Sequence, residues 1–372
     1  MGEGPLKGVR VLEFEGIGPA PLAGMLMADL GADVLRVGRA GPIGVSRGDA
    51  KGRGKRTLIL DLKRPAHVEA AVALARSADA LIEGFRPGVM ERLGLGPEPM
   101  LAANPRLVYG RMTGWGQEGP LAQTAGHDIN YIALTGALHA MGRAGEPPAP
   151  PLNLIGDYAG GALFLAFGVL AGVLSARTTG KGQVVDAAMV DGVCVLLTLF
   201  HGLKADGLWS ENRGENLLDG GAHFYDAYET ADGKFLAVGA IEPQFHAALL
   251  KGLGFSDAEF PDRMSRAHWP AYSEKVAARI RERTQAEWTS VFEGTDACVS
   301  PILSMDEAPS HPHMRARGSL GVAGGMMRAA PAPRFSATPA GELETLPEPT
   351  PATLEDLSRW GLGADAARAL LA

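Results

Sequence analysis

Short apolar runs alternating with helical patterns dominate the first third of the chain. Val9–Glu13 (VRVLE), Ala32–Val37 (ADVLRV), Leu58–Leu62 (LILDL), Ala80–Glu83 (ALIE) and Leu107–Arg111 (LVYGR) are rich in Val, Leu and Ile and read as buried strands. Helical patterns over Leu22–Leu30 and Val68–Ala78 fall between them. Strand, loop, helix and strand from Val9 to Val37 make a βαβ unit. The expected fold class is therefore α/β, with a doubly wound parallel sheet.

Further along, Ala159–Ala176 carries no charge and is about the length of a membrane span. Its Gly160, Gly161, Gly168 and Gly172 suit close packing better than lipid, so a buried core helix is expected. A turn at Thr179–Gln183 and an apolar helical run over Val190–His201 follow. Ser210–Gly221 is polar and rich in Gly and Asn, as a linker would be. Phe224–Thr230 and Phe235–Gly239 flank Ala231-Asp232-Gly233-Lys234 and predict a β-hairpin. Helices are expected over Glu242–Leu253, Ala271–Arg283 and Ala286–Gly294, an irregular stretch over Gly318–Thr350, and helix again from Ala352.

Composition narrows the function classes. A length of 372 residues implies about two domains. The net charge of −7 is mild and no basic stripe is present, so nucleic acid is not the expected partner. Cys194 and Cys298 have no CxxC company, which argues against a disulfide framework or a zinc site and fits a reducing compartment. With no signal pattern at the start, a cytoplasmic location is expected, with no membrane partner. The first βα turn has Gly16 and Gly18 but no third glycine at the dinucleotide spacing, and Pro19 and Pro21 stand where pyrophosphate would be cradled. A nicotinamide cofactor is not expected.

The candidate chemistry lies in Gly126–Gly161, with His127-Asp128 at one end and Gly156-Asp157 at the other. The stiff Pro147-Pro148-Ala149-Pro150-Pro151 crossing lies between them. Asp157 begins the apolar helix, either as a structural cap or as an acid/base or nucleophilic carboxylate beside free backbone N–H groups. His127 is either a structural histidine or a base. Glu242 follows a strand end and precedes Pro243. Arg36, Arg39, Lys51, Arg53, Lys55, Arg56, Arg86 and Arg92 are expected at carboxyl ends of strands, where open α/β sheets bind ligands. They are either solvated charges or a phosphate site.

Together these stretches resemble the α-methylacyl-CoA racemases within the class III (formyl-CoA/carnitine) CoA-transferase family. The resemblance runs from KGVRVLEFEGIGPAP to APRFS. It rests on the order and spacing of GADVLRV, IEGFRPGVMERLGLG, RMTGWGQEGP, AGHDINY, PPLNLIGDYAGG, GKGQVVDAAMVDG and GAIEPQF. It implies a Rossmann-like large domain built from both chain ends plus a smaller α+β domain, in an interlocked homodimer. On that basis residues 1–200 begin the large domain, 201–222 link, 223–317 form the small domain, and 318–372 return to the large one. Acyl-CoA is expected at the domain interface, with Arg39, Arg86 and Arg92 on the CoA moiety and Asn153 and Tyr225 lining the site. Met112 and Met189 are core filler or, by the resemblance, a sliding surface for the acyl chain.

The resemblance further implies that His127 and Asp157 act as opposing acid and base, interconverting R and S 2-methylacyl-CoA through an enolate. Glu242 orients His127, and the N-terminal end of the Asp157 helix holds the enolate oxygen. No metal or cofactor is required, since coenzyme A is part of the substrate. Two alternatives stand beside this. In a class III CoA-transferase, Asp157 is the covalent nucleophile, but the PGYD-like motif of transferases is replaced here by Ala125-Gly126-His127-Asp128. The other is a non-catalytic acyl-CoA binder on the same fold.

Overall fold

The computed structural model describes residues 4–40, 50–323, 325–343 and 347–371. The chain divides into two compact units. The first comprises 1–135, 152–196 and 311–372, and the second 136–151 and 197–310. This division assigns the Pro-rich crossing at 147–151 to the second unit, whereas the sequence reading placed it in the large domain.

In the first unit the elements are β1 (Arg10–Phe14), α1 (Pro19–Asp29), β2 (Asp33–Gly38), β3 (Lys55–Ile59), α2 (Pro65–Ala75), β4 (Ala80–Glu83), α3 (Val89–Arg92), α4 (Pro97–Ala103), β5 (Val108–Thr113) and α5 (Asp128–Leu134). A π-helix (Leu154–Ala162), α6 (Leu163–Thr179), β6 (Gln183–Ala188) and α7 (Met189–Leu196) follow. The second unit holds α8 (Thr198–Ala205), β7 (Tyr225–Glu229), β8 (Phe235–Gly239), α9 (Pro243–Leu253), α10 (Trp269–Ile280), α11 (Gln285–Phe292) and β9 (Val299–Ile302). The chain ends in the first unit with α12 (Pro312–Arg317), β10 (Leu320–Ala323), β11 (Met326–Ala329), β12 (Thr350–Pro351), α13 (Leu354–Arg359) and α14 (Ala364–Leu371).

The central sheet runs β12-β3-β2-β1-β4-β5-β6, and every pairing is parallel. The expected α/β class is what the chain adopts. Strand order reverses between β1 and β4, so a crevice is expected beyond Phe14 and Glu83 at the carboxyl ends. One face of the sheet packs Leu12, Leu35, Leu81 and Tyr109 against α2, α4 and α13. The other packs Val11, Val34, Ile82 and Val108 against α1 and α6. Alternate residues of each strand thus feed two cores, as a sheet covered on both sides requires.

Two readings of the sequence are corrected here. β3 begins at Lys55, three residues before the apolar run at Leu58, and its amino end carries charges. Those charges are buried and paired. Lys55 and Glu13 are both fully buried and joined at 2.7 Å, Arg53 pairs with Asp29 at 2.5 Å, and Arg56 pairs with Asp33 and Asp356, each at 2.7 Å. The stretch read as irregular, 318–350, contains the β10–β11 hairpin, and β12 closes the edge of the main sheet beside β3. Trp360 Nε1 donates to Asp33 Oδ2, tying the carboxyl-terminal segment under β2.

The second unit is a three-stranded antiparallel sheet, β7-β8-β9, carrying helices. The predicted hairpin forms with Tyr225 opposite Gly239 and Glu229 opposite Phe235, and Gly233 supplies the positive φ of the turn. Phe224, Leu236, Leu250, Trp269, Val276 and Trp288 fill its core. Residues 210–221, read as a linker, form a hydrogen-bonded loop within this unit. The Asn216 side chain, 1% exposed, donates to Asp219 and accepts from the Ser210 amide.

Candidate active site

The apolar stretch near Asp157 is a continuous helix, but its first part is π-helical. Glycine explains how it fits. A Cβ on Gly160 would lie 2.7 Å from Val193, and one on Gly192 would lie 2.0 Å from the Gly160 carbonyl oxygen. On Gly172 it would lie 2.7 Å from Val108 of β5. The helix therefore approaches its neighbours at backbone distance, as its composition predicts. By length and composition it is also apolar enough to cross a membrane. Leu163, Phe167 and Leu174 face outward from it.

Asp157 lies in the first turn of the π-helix, and Asn153 is the N-cap. The Asp157 carboxylate accepts from Asn153 Nδ2 at 3.1 Å. On another side it meets the first βα turn, where a Cβ on Gly18 (φ 75°) would lie 3.5 Å from Asp157 Oδ2. That turn follows β1, so Asp157 stands at the carboxyl end of the sheet, beside the switch in strand order. The Asp157 backbone N–H donates to Asp128 Oδ2 at 2.6 Å.

His127 is the N-cap of α5 and is exposed. Its backbone N–H donates to Asn130 Oδ1 at 3.0 Å, half of a capping-box arrangement that pins the start of the helix. Tyr131 holds the same turn by donating its hydroxyl to the Gly126 carbonyl and meeting Trp115 edge-on at 4.8 Å. A Cβ on Gly126 or Gly114 would strike the Tyr131 ring, so both positions require glycine. Burial pushes the Tyr131 hydroxyl above its ordinary pKa; the Asp157 charge adds to that and the Arg86 charge opposes it. Arg86 therefore acts electrostatically on Tyr131.

Burial also raises the Asp128 carboxyl. The hydrogen bond from the Asp157 amide works against that rise, the Asp157 charge adds to it, and the Gly156 amide again opposes it. The Asp157 N–H is engaged by Asp128 Oδ2, so that N–H is not a free donor for an enolate oxygen.

The basic residues separate into two groups. Arg39 follows β2, Arg86 follows β4 and Arg92 ends α3; all three are exposed at the carboxyl end of the sheet. Lys51, Arg53, Lys55 and Arg56 lie at the opposite end of the sheet, at or before the start of β3, contrary to expectation. Arg36 is buried in β2 and donates to Thr57 Oγ1. The loop carrying Arg86 is held by Glu83, which accepts from the Phe85 amide at 2.7 Å and from Arg111 Nε at 3.2 Å. Burial raises the Glu83 carboxyl to about 7 against the pull of those partners. Arg111 also reaches Glu91 at 2.8 Å, fixing α3 and with it Arg92.

Met112 and Met189 are nearly enclosed, at 2% and 6% exposure, within the core of the first unit. A Cβ on Gly161 would touch Met189 Cγ at 3.0 Å. Their packing is that of core residues. Glu242 and Tyr225 belong to the second unit. Glu242 is the N-cap of α9, and Tyr225 is half-buried at the start of β7. The residues missed by sequence reasoning are Asp128 as a buried acceptor, Asn130 and Tyr131. The one available signal was an Asn three positions after a helix-starting His.

Among the described residues no group of three or more His, Cys, Asp or Glu side chains is placed to hold a metal. Comparison with known proteins agrees with the architecture. The chain is 49% identical to mouse alpha-methylacyl-CoA racemase over 336 residues, covering 90% of this chain and 87% of the mouse protein. It is likewise 49% identical to the human protein of that name, over 85% of this chain and 82% of the relative. A solved CAIB/BAIF family protein from Brucella suis, 24% identical, superposes over the full length of both chains with a TM-score of 0.78 and shares the fold. Residues 6–353 match the CoA-transferase family III, and the chain belongs to that family.

Proposed function

We propose that this protein racemises 2-methylacyl-CoA thioesters by 1,1-proton transfer through an enolate. The reading draws on the similarity to racemases over nearly the whole chain. The observation that supports it is local: the Asp128 carboxylate, next in the chain to His127, accepts from the Asp157 backbone N–H at 2.6 Å and so joins the two segments that carry the proposed proton carriers. The α-proton of a thioester is weakly acidic, so inversion needs a base on one face and an acid on the other. In this reading His127 takes the proton from the S face and Asp157 delivers one to the R face, with the roles exchanged in reverse. The resemblance makes Glu242 a third participant, and Asn153 positions the Asp157 carboxylate.

Arg39, Arg86 and Arg92 are proposed to meet the phosphates and adenine of CoA, a choice their exposure at the carboxyl end of the sheet favours. We further propose that the protein is a homodimer and that its location is cytoplasmic. The outward apolar faces of α6 and α7, with Leu163, Phe167, Leu174, Val195 and Leu196 exposed, favour a partner of the same chain.

The test uses one pure enantiomer of a 2-methylacyl-CoA in heavy water, with no acceptor acid. Deuterium at the α-carbon with loss of optical activity is expected, and His127→Ala and Asp157→Ala should each abolish inversion. Turnover only when an acceptor acid is added, with hydroxylamine-trapped thioester or anhydride on Asp157, establishes the transferase instead.

A further inference from the structure

A π-helix leaves its leading N–H groups without intrahelical partners, and in a half-buried turn such donors need an acceptor. The Asp157 N–H finds one in Asp128, which lies 29 positions earlier in the chain and is only 6% exposed. Asp128 makes no hydrogen bond to the opening amides of its own helix, α5. Its Oδ2 is spent on Asp157, and its buried Oδ1 has no hydrogen-bond partner among the described residues. The contact has no slack. A Cβ on Gly156 would lie 2.7 Å from Asp128 Oδ2 and 3.2 Å from Ile132, so only glycine admits the carboxylate.

Burying a carboxylate with one oxygen unpaired is costly, and a helix cap of ordinary kind does not require it. Asp128 joins the two ends of the site instead. Its backbone follows His127 at the start of α5, and its side chain grips the turn that carries Asp157. We propose that Asp128 is a positioning residue that fixes the Asp157 carboxylate relative to His127 by holding the Asp157 backbone amide. This deepens the racemase reading and rests on it for its catalytic consequence.

The inference makes the two halves of inversion separable. His127 can still remove the α-proton of the S substrate, leaving the C–H electron pair on the enolate. It can then return a deuteron from solvent to the same face. Delivery to the opposite face needs Asp157 in place.

The experiment compares wild type, Asp128→Ala and Asp128→Asn, each shown to be folded by circular dichroism. The substrate is (S)-2-methylacyl-CoA in heavy water. In Asp128→Ala, inversion should fall about 100-fold, the scale expected when a catalytic group is misplaced by about 1 Å. Deuterium should still enter with retained configuration, and KM should change little. Asp128→Asn keeps an acceptor for the amide and should recover most of the inversion rate. Amide exchange by mass spectrometry adds an arm independent of activity: peptides containing Gly156 and Asp157 should exchange faster in Asp128→Ala than in wild type or Asp128→Asn. Parallel loss of exchange and inversion in both variants, or unchanged inversion in Asp128→Ala, overturns the proposal. Unchanged amide protection in Asp128→Ala does so as well. Absence of inversion in the wild type sinks the racemase reading alone, and the amide arm then decides whether Asp128 holds the turn.

Discussion

Lys55 offers the sharpest separation of a structural role from a ligand-binding one. Its ammonium is fully buried and donates to Glu13 Oε1 at 2.9 Å, Glu13 Oε2 at 2.7 Å and the Pro21 carbonyl at 2.8 Å. Lys55→Met keeps the length of the side chain and removes the charge, so both Glu13 carboxylate oxygens lose the ammonium they accept from. Breaking a buried pair on one side costs about 3–5 kcal/mol. For a domain of 150–250 residues, about 2–4 °C of melting temperature accompanies each kcal/mol, so the midpoint should fall by about 6–20 °C. The double variant Glu13→Leu/Lys55→Met removes both charges and should recover much of the loss, because the desolvation cost goes with them. Thermal unfolding followed by circular dichroism reads the stability, and calorimetric titration with CoA reads the affinity. An unchanged midpoint with weakened CoA binding would refute the structural reading and return Lys55 to the phosphate site.

Three further outcomes follow from the geometry. Gly24→Ala should destabilise the same corner, since its Cβ would lie 1.8 Å from Glu13 Oε2; the unfolding midpoint is the measurement. Gly192→Ala should prevent α7 from seating on the π-helix, because its Cβ would fall 2.0 Å from the Gly160 backbone oxygen, and a normal soluble yield and midpoint would contradict this. The buried His223–His246 pair, with Nε2 atoms 2.9 Å apart, should make the second unit acid-labile. Burial depresses both rings, His223 to about 3 and His246 to about 4, with the His246 charge acting further on His223 and Arg263 on both. Their stabilisation is full above the unfolded value near 6.5 and is lost as pH falls toward 4. Amide exchange of the β7–β8 peptides should rise over that window, and less steeply in His223→Phe/His246→Phe.

How much of this was legible depended on whether the cause was local. The parallel strands announce themselves through Val-, Leu- and Ile-rich runs, so β1, β2, β4 and β5 lie within a residue or two of the expected positions. β3 was misjudged because Lys55, Arg56 and Thr57 look like loop. Their burial depends on Glu13, Asp33 and Asp356, and no window around position 55 contains those partners. β12 was invisible for a similar reason, since Thr350-Pro351 is a strand only because β3 is there to receive it. At the site, His127 and Asp157 stood out by residue type and motif. The part played by Asp128 did not, because its acceptor role exists only once the π-turn has formed. Glycine was the more informative residue: its density in 156–172 correctly pointed to close backbone approach.

The late strand β12 has a consequence for how the molecule is made. During synthesis β3 emerges with its outer edge bare, and the residues that cover it are translated nearly three hundred positions later. The intervening residues of the second unit have their own core and can order first. Until β12 arrives, an open strand edge is available to any other nascent chain. Yield should therefore depend on the carboxyl terminus: a chain stopped before Thr350 should aggregate, whereas one that merely lacks the exposed Leu371 should not. Translation of β12, rather than any local propensity, sets the moment at which this edge of β3 is covered.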